Sequence, residues 1–71
     1  MSVLSAVIIP DSDGGYVAQN LETGTTSQGE TIDEALSNLK EATELYLEEF
    51  PHDYLGRSLM TTFEVEDAKN S

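Results

Sequence analysis

Residues 3–9, VLSAVII, carry the strongest fold signal in the sequence. The run is rich in β-branched residues and is ended by Pro10, so it reads as a strand. Both of its alternating sets are apolar, with Val3, Val7 and Ile9 on one and Leu4, Ala6 and Ile8 on the other. A strand of this kind is normally covered on both faces. The 71 residues fit one small domain, and the pattern holds only one helix. One helix covers one face, so burial of the other is expected to come from a second molecule.

The absence of cysteine sharpens that expectation. A domain this small is marginal without a staple, and no disulfide can supply one. Thiol nucleophiles, zinc–thiolate sites and thiol redox chemistry are removed as well. Oligomerisation or a partner protein remains as the source of extra stability.

The stretch IIPDSDGGY, residues 8–16, admits three readings: a calcium loop, a carboxylate site or a hairpin turn. A helix-loop-helix calcium loop wants glycine at its sixth position and glutamate at its twelfth. Counted from Asp11, the sixth position is Tyr16; Glu22 does fall at the twelfth, but no helix flanks the loop. Asp13-Gly14 or Gly14-Gly15 between two strand patterns is instead the signature of a tight hairpin, because these residues tolerate positive φ. The hairpin is the expected outcome.

A second short strand follows at 16–20, YVAQN, and a polar edge strand at 25–28, TTSQ, bounded by Gly24 and Gly29. Thr31-Ile32-Asp33-Glu34 forms a capping box, in which the threonine hydroxyl accepts the N–H three residues on and Glu34 reaches back. The helix is expected to run to about Glu49, before Pro51. Its apolar stripe is Ile32, Ala35, Leu36, Leu39, Ala42, Tyr46, Leu47 and Phe50, with Glu34, Ser37, Glu41, Glu44 and Glu48 opposite and Leu45 off the stripe. Residues 51–58 connect to a final strand at 59–66, where Leu59, Thr61, Phe63 and Val65 alternate with Met60, Thr62 and Glu64. Residues 67–71 are a tail. The reading is thus an α+β domain in the order β-β-β-α-β: an antiparallel three-stranded meander, one helix and a final strand, with a core at about 3–65.

Catalytic constellations are weak. Two-metal nuclease chemistry needs carboxylates on rigid elements holding ions about 4 Å apart. The first strand carries none, and the helix acids sit on the polar side. His52 beside Asp53 has no nucleophile at a recognisable spacing, and a lone loop histidine is ordinarily polar surface. DSDGG lacks the lysine of a phosphate loop and leads into a strand. No enzyme activity, cofactor or metal is expected.

Fourteen acidic residues against three basic ones give a net charge of -11. Such a surface repels nucleic acid and anionic lipid and attracts basic partners, though acidic surfaces also serve solubility. Lys40, Arg57 and Lys69 are scattered over different elements, so direct binding to operator DNA is not expected. No apolar run approaches the roughly 20 residues of a membrane span. The N-terminus lacks the basic region of a signal peptide, and a cytoplasmic location is expected.

Tyr16-Val17-Ala18, then Gly24, then Gln28-Gly29-Glu30-Thr31 followed by Glu34-Ala35 and a helix resemble the HicB antitoxin family over residues 3 to about 65. The motif positions are Tyr16, Gly24, Gln28, Gly29, Thr31, Glu34 and Ala35. Thr25 departs from a cysteine common in that family, a change expected to affect only packing. Many members also carry a C-terminal DNA-binding module, which is not carried over here. The resemblance implies a single HicB-like domain over 1–71, of partial ribonuclease-H-like topology, non-catalytic and dimeric or higher. It implies neutralisation of a small basic HicA-type RNA-cleaving toxin. A stand-alone homo-oligomeric domain with an unknown ligand is the alternative. The expected contacts for a basic partner are Glu41, Glu44 and Glu48 on the helix, or Asp11 and Asp13 at the turn.

Overall fold

The computed structural model describes residues 2–51, 56 and 58–67. It is an α+β arrangement of three antiparallel strands followed by one helix: β1 (Ala6–Pro10), β2 (Tyr16–Asn20), β3 (Thr26–Gly29) and α1 (Ile32–Glu49). The sheet order is β1-β2-β3, with β2 in the centre. The register sets Ile8 beside Ala18 and Ala18 beside Ser27, which fixes one face of the meander. Residues 59–66, expected as a fourth strand, join no sheet among the described residues.

β1 is shorter than the apolar run predicted, and the cause is local. The Ser5 N–H donates to the Glu22 carboxylate at 2.7 Å, and the Ser5 carbonyl accepts from the Asn20 side chain at 2.7 Å. With both main-chain groups engaged by side chains, the ladder begins only at Ala6. Val3 is left 68% exposed.

The first turn is closed by its own backbone. The Gly14 N–H donates to the Asp11 carbonyl at 2.9 Å and the Asp11 N–H to the Gly15 carbonyl at 3.0 Å. One Asp11 carboxylate oxygen accepts from the Asp13 N–H at 3.1 Å, an Asx turn. Gly15 has φ of +79°, and a Cβ there would stand 2.6 Å from the Gly29 carbonyl oxygen, so both conformation and space demand glycine. The hairpin expected at DSDGG is the structure found.

Thr31 caps α1, its hydroxyl accepting the Glu34 N–H at 3.1 Å. The reciprocal half of the expected capping box is displaced by one residue: Glu34 accepts from the Glu30 N–H at 2.5 Å. The helix lies across the sheet, where the Ser27 hydroxyl donates to the Ala35 carbonyl at 2.7 Å and the Asn38 amide to the Gln28 carbonyl at 2.8 Å.

The buried core is Ala18, Ala35 and Leu39, with Ile8 and Tyr16 packed against it. The expected stripe is therefore re-centred. Ala35, Leu39 and Thr43 are buried, while Ile32, Leu36 and Phe50 remain exposed at its margins. Thr43 belongs to the buried line because its hydroxyl meets that of Thr25 at 2.8 Å, which satisfies a polar group in the interior. The face of the sheet away from α1 carries Val7, Ile9 and Val17 and has no covering element among the described residues. Also among the described residues, no helix is long and apolar enough to cross a membrane.

Candidate functional site

The hairpin turn, the end of β3 and the start of α1 converge on a cleft of about 490 Å³. Its walls bring together Asp11 and Asp13 from the turn, Tyr16 from β2, Gln28 and Gly29 from β3, and Glu30, Glu34 and Asn38 around the helix start. The folding reason is the contact of Gly15 with Gly29, which draws the turn against the end of β3. Four of the motif positions, Tyr16, Gln28, Gly29 and Glu34, thus share one polar cleft with the two turn aspartates.

The remaining motif positions serve the scaffold. Gly24 donates its N–H to the Asn20 carbonyl at 2.9 Å in the β2–β3 turn. Thr31 is the helix cap, and Ala35 is buried under the close approach of β3.

The helix acids form a separate surface. Glu41, Glu44 and Glu48 are all exposed and stand at spacings of three and four along α1, away from the cleft. Glu44 is not a free charge. It accepts from the Lys40 ammonium at 2.9 Å, and that hydrogen bond, with the charge of Glu44, raises the lysine above its ordinary value. Lys40 is the one basic side chain among the described residues. Arg57, Lys69, His52 and Asp53 lie outside them.

Sequence reasoning missed a polar node at the opposite end of the sheet. Asn20 is buried, and its side-chain amide donates to the Ser5 carbonyl and, at 2.8 Å, to Glu22. Its side-chain oxygen accepts from the Thr23 N–H at 2.9 Å and from the Thr23 hydroxyl. Glu22 in turn accepts from the N–H groups of Ser5 and Ser58. Burial works to raise the Glu22 carboxyl, but the hydrogen bonds from Ser58, Ser5 and Asn20 outweigh it and hold the group at about 2, below its ordinary 4.5. The node ties three distant segments of the chain together. The only hint of it in the sequence was the pattern Asn20-Leu21-Glu22-Thr23-Gly24, which suits a turn but does not announce long-range partners.

Chemically, the cleft presents acceptors and carboxylates to solvent. Among the described residues, no group of three or more His, Asp or Glu side chains is placed to hold a metal ion. The arrangement suits recognition of basic or hydrogen-bond-donating groups.

The chain belongs to a family of unknown function, DUF7387, whose pattern matches residues 5–68. It is also similar to a UPF0150 protein of Helicobacter pylori strain J99, with 42% identity over 54 residues, covering 76% of this chain and 75% of that protein. No solved structure matches it.

Proposed function

We propose that this chain is a non-catalytic binding module of the antitoxin kind, resembling HicB. In this reading it neutralises a small basic HicA-type RNA-cleaving toxin in the cytoplasm by direct protein–protein contact. The module acts as a homodimer or higher homo-oligomer, needs no cofactor, and binds neither nucleic acid nor membrane itself. The resemblance extends to a final strand at 59–66 that completes a partial ribonuclease-H-like topology.

One observation carries the reading. In a chain of net charge -11, acidic side chains line a cleft that holds four of the motif residues and also stand along an exposed helix face. A surface of that sign meets a basic RNA-binding protein where RNA phosphates would otherwise lie, and opposite potentials accelerate encounter and select the partner. A second reading, a stand-alone homo-oligomer with an unknown ligand, draws on the uncovered apolar sheet face around Ile9, which calls for self-association but not for a toxin.

Co-expression with the product of the adjacent reading frame, followed by pull-down and an RNA-cleavage assay, separates the two. Capture of that protein and suppression of its cleavage is the expected result. Cleavage that continues unchanged with this chain in excess would leave only the stand-alone reading.

A further inference from the structure

The segment 59–66 and the open side of β1 are unsatisfied in complementary ways. Among the described residues, β1 lies at the sheet edge and pairs only with β2. Beside its first residues, between the sheet and α1, runs a groove of about 590 Å³ with Leu4, Ala6, Leu36, Leu39 and Leu47 in its walls. The segment alternates Leu59, Thr61, Phe63 and Val65, and its apolar members stand in solvent, with Leu59 93%, Phe63 86% and Val65 72% exposed. Both an apolar segment of strand period and an apolar seat beside a sheet edge are therefore displayed by the same chain.

We infer that residues 59–66 form a strand in trans, added to the β1 edge of a second copy of this chain, with Leu59, Phe63 and Val65 filling that copy's groove. This gives self-association a route through the β1 edge and the groove beside α1, separate from the open sheet face around Ile9, and rests on the self-association proposed above, not on a toxin partner. The segment's root is fixed. The Ser58 N–H donates to Glu22, and the Ser58 carbonyl accepts from the Ser5 hydroxyl at 3.2 Å. Anchored there, at the start of its own β1, the segment still leaves its apolar side chains in solvent, so its own groove does not seat it. A copy related by a two-fold axis offers the same groove from outside, and the exchange is reciprocal, so each chain both gives and receives a strand and the assembly closes at two.

The chemistry of the contact is that of strand addition. Main-chain hydrogen bonds supply affinity, and alternate side chains enter pockets. Addition also removes the exposed edge of β1, which would otherwise invite unregulated pairing.

The cysteine-free chain allows a direct test. Ala6→Cys and Thr61→Cys single variants are mixed in equal amounts and treated with a short bis-maleimide. A covalent heterodimer is expected. Phe63→Asp introduced in the Thr61→Cys background is expected to abolish that product and to give a monomer mass in sedimentation. Because Phe63 is so exposed, the far-ultraviolet circular dichroism of the variant should match the wild type and certify its fold. A monomer mass for the wild type would overturn both the inference and self-association. A wild-type dimer that survives Phe63→Asp would overturn the strand route alone. An Ala6→Cys/Thr61→Cys double variant that closes within one chain, at monomer mass and independently of concentration, would also overturn it.

Discussion

A Cβ atom on Gly29 would stand 2.6 Å from the amide nitrogen of Ala35. The end of β3 and the first turn of α1 are packed backbone to backbone, with Ala35 fully buried beneath. Gly29→Ala therefore forces the helix off the sheet, an overpacking cost on the order of 1–3 kcal/mol. Urea unfolding followed by circular dichroism should show a lower midpoint with little change in slope. A wild-type midpoint would mean that the helix start is free to yield.

Leu39 is the largest of the three buried apolar side chains among the described residues. Leu39→Ala is expected to cost about 2–5 kcal/mol, a large share of the roughly 5–15 kcal/mol that holds most domains together. Leu45, at 60% exposed, is the matched control, and Leu45→Ala should stay within about 0.5 kcal/mol of wild type. Thermal melts of the two variants side by side decide the point; similar losses would place the core elsewhere.

Glu22 gives the fold a defined acid response. Its folded value is about 2 against an ordinary 4.5, so the carboxylate contributes stability that is fully present above 4.5 and is lost as pH falls toward 2. Acidification also weakens the self-repulsion of a chain of charge -11, so the wild-type curve alone mixes two opposite effects. The difference between wild type and Glu22→Gln isolates the node. That difference should be largest above pH 4.5 and should narrow on acidification. A gap that stays constant down to about 2 would contradict the assignment.

The helix acids bear on the proposed basic partner. Since Glu44 is engaged by Lys40, most of the free negative charge of the ridge resides on Glu41 and Glu48. Glu41→Lys/Glu48→Lys should slow association at low salt nearly as much as the triple variant with Glu44→Lys, and the difference from wild type should fade at high salt. Stopped-flow association rates test this. Equal rates for wild type and variants at low salt would move the contact to the cleft at Asp11 and Asp13.

The meander and the helix were legible because their signals are local. Gly14-Gly15 dictates a turn, Thr31 dictates a helix start, and neither depends on the rest of the chain. The centre of the helix stripe was less legible, since Thr43 is polar by type and enters the interior only because Thr25 arrives from another turn to meet it. The Asn20–Glu22–Ser5–Ser58 node was invisible for the same reason, as its partners are up to 53 residues apart. The strand pattern at 59–66 is a period in the sequence, but pairing needs an edge, and the edge is not encoded in the period. Of the candidate site, the gathering of Tyr16, Gln28, Gly29 and Glu34 around the turn follows from the short hairpin connections, whereas the Lys40–Glu44 pair depends on side-chain geometry along the helix.

The order in which the elements touch has a kinetic consequence. β1 pairs with β2, β2 with β3, and α1 rests on β3 and β2, so nearly every packed element is a close neighbour along the chain. Such low contact order is the property that makes small domains fold quickly, because little loop entropy is lost before each contact forms. Among the described residues, the hydrogen bond between Ser58 and Ser5 joins the most distant positions, 53 residues apart. Refolding after a jump out of denaturant should then show two separable relaxations. The meander and helix should close in a fast phase whose rate ignores protein concentration. A slower phase, whose rate rises with concentration, should follow as chains that are already folded find one another.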